Sequence, residues 1–172
     1  MPALPNSRAE AQDARGVVTA STVGTDFLFA SPLFNGLGAD EINRLVELAE
    51  IQEYGRGDTV VAEGSTGDAI FLLYAGELSV YTHGENGRDI RLAQVQSRGA
   101  FFGEIALADP GPRSATVMAE GDSVLLKLSL EALETFFGEF ADAQVVILRN
   151  IARVLAQRLR DSNALVTSIA SR

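Results

Sequence analysis

The run DTVVAEGSTGDAIFLLYAGELSVYTHGENGRDIRLAQV, residues 58–95, decides the fold. Its apolar pieces TVVAEG, AIFLLYAG, ELSVYTHG and RDIRLAQV are short, aliphatic and β-branched, and glycine-bearing turns such as EGSTGD and HGENGRD separate them. Strand-sized runs with that punctuation predict antiparallel β-structure rather than amphipathic helix. Two later pieces, ATVMAE and SVLLKLS, carry the pattern on to Leu128, so residues 52–128 are predicted to form a β roll or double-stranded jelly roll.

Helices flank the roll on both sides. In SPLFNGLGADEINRLVELAE the residues Ile42, Leu45, Val46 and Ala49 share one face, and Gly38 followed by Glu41 marks a helix start, giving an N-terminal helical segment over 27–51. After Ser129, LEALETFF and a long run from about Ala141 to Ile169 predict a C-terminal helix pair over 129–172. The chain is therefore expected to be mainly β with flanking helices, in one domain over 27–172. Residues 1–26 lack periodicity and read as a flexible tail.

The long C-terminal run has a near-heptad seam through Leu148, Ile151, Leu155, Leu159, Ser162, Val166 and Ile169. Such a seam either packs on its own roll or pairs with a copy of itself. It continues past Ser162, where a domain of this size has little core left to offer, so a homodimer through this helix is expected.

Composition narrows the function. Lys plus Arg number 14 against 23 Asp plus Glu, and the formal net charge of -9 opposes broad contact with a nucleic-acid backbone or an anionic membrane. The absence of cysteine removes disulfides, thiolate metal sites and cysteine nucleophiles, and favours the cytoplasm. The N-terminus lacks a basic start followed by an apolar run, and no segment has the length to cross a bilayer, so a soluble, unexported protein is expected. With one histidine, His83, and neither a G-x-S-x-G nor a G-x-x-x-x-G-K-[ST] motif, no enzyme, metal or cofactor is expected.

The chemistry concentrates in FFGEIALADPGPRSATV, residues 101–117. Gly103 frees the backbone before one short helical turn, whose amino end attracts an anion. The DPGP turn then stops any helix, and Arg113 follows at once, so a guanidinium and the helix start can converge on one phosphate. Glu104 would repel that phosphate unless it holds a hydroxyl of the same ligand, such as a ribose 2′-hydroxyl beside a cyclic phosphate. On spacing alone, Glu104 and Arg113 could equally neutralise each other as an ion pair.

Phe102, Gly103, Glu104, Ile105, Ala106 and Leu107, followed by Pro112, Arg113, Ser114, Ala115, Thr116 and Val117, resemble the phosphate-binding cassette of cyclic nucleotide-binding domains. Gly57, Glu63, Gly64, Gly67, Asp68, Phe71 and Gly76 resemble the first half of that domain, and the likeness runs from about Phe29 to the C-terminus. The resemblance implies that Arg113 grips the cyclic phosphate, Ser114 adds a hydroxyl, the backbone of Gly103 to Ala106 supplies N–H groups, and Glu104 takes the ribose hydroxyl. Ala115 belongs to the same cassette. Phe102, Thr116 and Leu78 are further candidates for ligand contact.

Alignment of AQRLRDSN with the last helix of the catabolite activator branch puts Ser162 and Asn163 near the base, with Arg158 or Arg160 beside them. Ser114 leaves cAMP and cGMP open, and the likeness of the last helix favours cAMP. That branch continues into a helix-turn-helix domain, whereas this sequence stops at Arg172, so direct DNA reading is not expected. The expected function is a non-catalytic cyclic nucleotide sensor acting through its C-terminal helices on a separate, unidentified effector protein. The alternative is a β-roll interaction or dimerisation module that has lost its ligand.

Overall fold

The computed structural model describes residues 23–84, 87–109 and 111–170. Of the expected tail, residues 1–22 lie outside this range, while Val23 is buried in the helical core. Helix α1 (Asp26–Ala30), a 3-10 turn (Pro32–Phe34) and helix α2 (Ala39–Leu48) open the described chain. Strands β1 (Glu50–Tyr54), β2 (Thr59–Val61), β3 (Ala69–Ala75), β4 (Leu78–His83), β5 (Asp89–Val95) and β6 (Phe101–Phe102) follow. The single-turn helix α3 (Ile105–Ala108) leads to β7 (Thr116–Ala119) and β8 (Ser123–Ser129), and α4 (Leu130–Glu139) and α5 (Ala141–Ala170) complete the order.

The eight strands form two antiparallel sheets, in the orders β1-β8-β3-β6 and β2-β7-β4-β5. This is the β roll with flanking helices expected from the sequence. Strand β3 explains why the layers stack as they do. Ala69, Phe71 and Leu73 point between the sheets, whereas Ile70 and Leu72 point at the helices, so nearly every side chain is buried and the strand reads as a continuous apolar run. Phe71 lies opposite Phe102, with ring centroids 5.2 Å apart and nearly parallel.

The helical layer forms a second core on the outer face of the first sheet. Phe34, Ile42, Leu45, Leu133, Phe136 and Ile147 meet Ile70, Leu72, Leu126 and Leu128 there. Burial of each such side chain contributes about 1.5–3 kcal/mol, which makes this layer as much a part of the domain as the roll. Glu41 caps α2 by accepting from the Gly38 N–H at 2.6 Å, and Ser129 caps α4 by accepting from the Ala132 N–H at 3.0 Å.

Helix α5 carries two apolar stripes with different fates. Ala143, Ile147 and Ile151 are buried, and Val154 and Leu155 pack against the same core. Of the expected seam, Leu148, Leu159 and Val166 are exposed. From Ala156 to Ser168 every described side chain of α5 is exposed. Among the described residues, no helix is long and apolar enough to cross a membrane.

Candidate functional site

The chain must reverse sharply after β6, and Gly103 does so at φ +82°. A Cβ at this position would stand 2.5 Å from Arg113 Nη1 and 2.7 Å from the Ala69 carbonyl oxygen, so only glycine lets the guanidinium lie against this backbone. Glu104 precedes α3, and the Ala106 and Leu107 N–H groups close the turn on the Gly103 and Glu104 carbonyls. Gly67 brings the β2–β3 loop close to α3, because a Cβ there would meet Ala106 Cβ at 3.1 Å.

Arg113 is fixed from both directions. Its main chain bonds into the β2–β3 loop through Arg113 N–H to Ser65 O and Gly64 N–H to Arg113 O, at 2.7 and 2.8 Å. Its guanidinium donates to Ala69 O at 2.9 Å and to Gly103 O at 3.4 Å, and Asp68 stands 3.9 Å away. Burial pulls the guanidinium pKa down from its ordinary value, against the opposing pull of the Asp68 and Glu104 carboxylates. A cation that has lost water and gained carbonyls, the face of the Phe71 ring at 5.7 Å and one distant carboxylate is ready for an anion.

Glu104 does not pair with Arg113. Its carboxylate is only 2% exposed, and Oε1 accepts from Arg158 Nη1 of α5 at 2.6 Å. Arg158 Nη2 donates to the Phe101 carbonyl at 2.9 Å, and its guanidinium lies 5.6 Å from the centre of the Phe101 ring. The Arg158 side chain is half exposed, so one end of this ion pair is buried in the cassette and the other is open to water.

These groups border a cavity of about 440 Å³. That volume lies within the roughly 300–1,000 Å³ usual for small-ligand pockets. Seven predicted residues, Gly103, Glu104, Ile105, Ala106, Arg113, Ser114 and Ala115, all line it, as does Phe102. Three other candidates are placed elsewhere: Leu78 is fully buried between the sheets, Thr116 Oγ1 accepts from the Glu63 N–H at 2.9 Å, and Arg160 bonds Gln157. Ser162 and Asn163 are exposed on α5 beyond Arg158 and do not line the cavity. Val80, Ala93, Val95, Ser97 and Ala100 also line the cavity, and no motif in the sequence marks them.

Residues 51–140 match the cyclic nucleotide-binding domain. The chain is 33% identical over 116 residues to a cAMP-dependent protein kinase regulatory subunit of Aspergillus niger, covering 67% of this chain and 27% of that protein. It is 35% identical over 147 residues to glutaminase 1 of Bradyrhizobium diazoefficiens, covering 86% of this chain and 23% of that protein. It superposes on the crystal structure of the Thermus thermophilus catabolite activator protein with a TM-score of 0.70 and 28% identity, covering 81% of this chain and 63% of that one. The chain thus spans about a quarter of the length of the two curated relatives named, one of them a regulatory subunit and the other a glutaminase. A cassette with its arginine on fixed carbonyls and its buried glutamate facing the same cavity accords with the match over the roll, and the chain belongs to the cyclic nucleotide-binding domain family.

Proposed function

We propose that the chain is a non-catalytic cyclic nucleotide sensor, with cAMP favoured over cGMP, whose helix α5 passes occupancy of the cavity to a separate partner protein. The observation that carries this reading is the pair of fates given to the two cassette charges. Arg113 rests on carbonyls, with burial against it, while Glu104 is held separately by Arg158. Two charges with separate supports can serve two parts of one ligand, the cyclic phosphate and the ribose 2′-hydroxyl. Since the Ala106 and Leu107 N–H groups are engaged, the Glu104 and Ile105 N–H groups at the start of α3 are the backbone donors assigned to the phosphate, with Ser114 adding its hydroxyl.

Signal transmission rests on α5. The stretch that reaches the cavity has exposed side chains, so Arg158, rather than core packing, ties it to the cassette. A ligand hydroxyl that bonds Glu104 alongside Arg158 adds to the contact between cassette and α5, and a ligand that favours one helix position in this way has the differential affinity that a switch requires. Ser162 and Asn163 read the base only if α5 moves toward the roll. The exposed stripe of Leu148, Leu159 and Val166 supports a homodimer through α5, with the cytoplasm as its setting and no direct DNA or membrane contact.

Calorimetric titration with cAMP and cGMP tests the reading, with heat expected for cAMP at the lower concentration. Glu104→Gln keeps the shape but weakens the acceptor for the ribose hydroxyl, so the affinity advantage of cAMP over its 2′-deoxy analogue should fall about tenfold. No heat with either nucleotide at millimolar concentration would leave the chain as a β-roll interaction module.

A further inference from the structure

Asn150 is a buried polar residue in the middle of α5, 3% exposed and outside the cavity lining. Its amide Nδ2 donates to two main-chain carbonyls, Leu33 O at 3.0 Å and Asn35 O at 2.8 Å. Both acceptors lie at the end of the 3-10 turn Pro32–Phe34, where a short helix leaves carbonyls without partners of its own. An apolar side chain at position 150 would take this donor from both carbonyls and leave that of Leu33, a residue 1% exposed, buried without it.

The start of the same turn is tied to the roll. Ser31, 1% exposed, donates from Oγ to the Gly99 carbonyl at 2.7 Å. The fit is close, for a Cβ on Gly99 would stand 3.1 Å from Phe27 O and 3.3 Å from Ser31 Cα. Gly99 and Ala100 bond to Leu73 of β3 through Gly99 N–H to Leu73 O and Leu73 N–H to Ala100 O, both at 2.8 Å. Ser97, Ala100 and Phe101 line the cavity.

Helix α5 therefore reaches one stretch of cavity wall by two routes. One is direct, from Arg158 to Glu104 and Phe101. The other runs from Asn150 through the 3-10 turn and Ser31 to Gly99. Asn150 and Arg158 are eight positions apart on one helix, roughly 12 Å along its axis, so a shift in α5 register is felt at both ends of the wall together.

We propose that Asn150 is a positioning residue for the cavity, setting the register of α5 against the 97–101 wall through the 3-10 turn and Ser31. Its effect on ligand affinity rests on the cyclic nucleotide reading above; its effect on the wall does not.

The test compares the full chain with Asn150→Leu, Ser31→Ala and, as a control for lost stability alone, Leu45→Ala, a core residue of α2. Hydrogen exchange of the ligand-free proteins is followed in peptides spanning 97–102. Asn150→Leu and Ser31→Ala should each speed exchange there about tenfold beyond Leu45→Ala when the three are matched for distance below their melting midpoints. Exchange at 97–102 no faster than in the control would overturn the proposal, and Ser31→Ala keeps it testable should Asn150→Leu fail to fold. In cAMP titrations, Asn150→Leu should weaken binding about tenfold, and its combination with Arg158→Ala should cost less than the two single effects together, because both act on one helix position. Additive losses would also count against it, whereas a wild type that binds neither nucleotide removes the ligand reading and leaves the exchange result to decide.

Discussion

Two arginines border the cavity, and their settings differ. Arg113 comes from the roll, is 9% exposed, and donates to the main-chain carbonyls of Ala69 and Gly103. Arg158 comes from α5, has a half-exposed side chain, and binds the carboxylate of Glu104. The first is held by backbone that cannot move without breaking β3 or the cassette turn. The second is held by a side chain and by one carbonyl, that of Phe101, on a stretch of helix whose neighbours are exposed. One wall of the cavity is thus held more firmly than the other, and on the proposed reading a site whose walls differ in this way converts occupancy into movement.

The largest expected effect falls on the stiff wall. Arg113→Ala removes a desolvated cation from the cavity and takes the guanidinium donor from Ala69 O and Gly103 O, the latter keeping the Ala106 N–H. The loss in cAMP affinity should be at least about a hundredfold, or roughly 3 kcal/mol, measured by calorimetry beside a melting curve. Equal affinity in wild type and variant would break the comparison at its stronger end. Arg113→Lys restores charge but not the planar fork that meets two carbonyls, and should recover only part of the loss.

A smaller effect is expected at the yielding wall. Arg158→Ala should weaken cAMP about threefold to tenfold, because the ion pair is open to water at one end. Raising salt from about 50 to 500 mM should reproduce part of that loss in the wild type and little in the variant, since exposed charges are screened. Tighter binding by the variant would reverse the picture and make Arg158 a competitor of the nucleotide for Glu104.

Much of the stiff wall was legible in the sequence, because its chemistry is local. Gly103, Glu104 and Arg113 sit within eleven positions, and a glycine, a short turn and a proline-bounded arginine leave few ways to fold. The part of the lining that comes from β4 and β5 was not legible. Val80 and Ala93 reach the cavity through the pairing of β4 with β5, and a bulge beside Val80 shifts that register in a way no alternation pattern announces. The short strand β6 escaped for a similar reason, since two phenylalanines carry no periodicity. On α5 the heptad seam was read as one stripe, yet the core takes Ile147 and Ile151 while Leu148 and Leu159 face outward. A helix face is chosen by the layer it meets, and the sequence does not say where that layer ends. The Asn150 link was invisible for the same cause, as its acceptors are main-chain carbonyls more than a hundred residues away.

The smallest effect concerns how the helical layer holds itself together at its surface. Arg44 of α2 grips Glu139 of α4 with two bonds, Nε to Oε2 and Nη2 to Oε1, both at 2.7 Å, and also bonds Glu47. The Arg44 hydrogen bond holds the Glu139 carboxyl below its ordinary pKa, while the two carboxylates raise that of Arg44. A carboxyl whose folded value is depressed stabilises the fold above its unfolded value, near 4.3, and loses that contribution as pH falls through the folded value. Arg44→Ala should therefore lower the melting midpoint slightly at pH 7, and the gap from wild type should narrow as pH falls below the unfolded value of about 4.3. Both side chains are partly exposed, so the gap should also shrink in high salt. A gap that persists unchanged at pH 3 would mean that Arg44 acts through its aliphatic stem against the helices. In that case the layer that carries α5 would owe its hold to packing and to the Asn150 hydrogen bonds, and the contrast between the two walls would rest on Arg158 with no help from the Arg44 ion pairs.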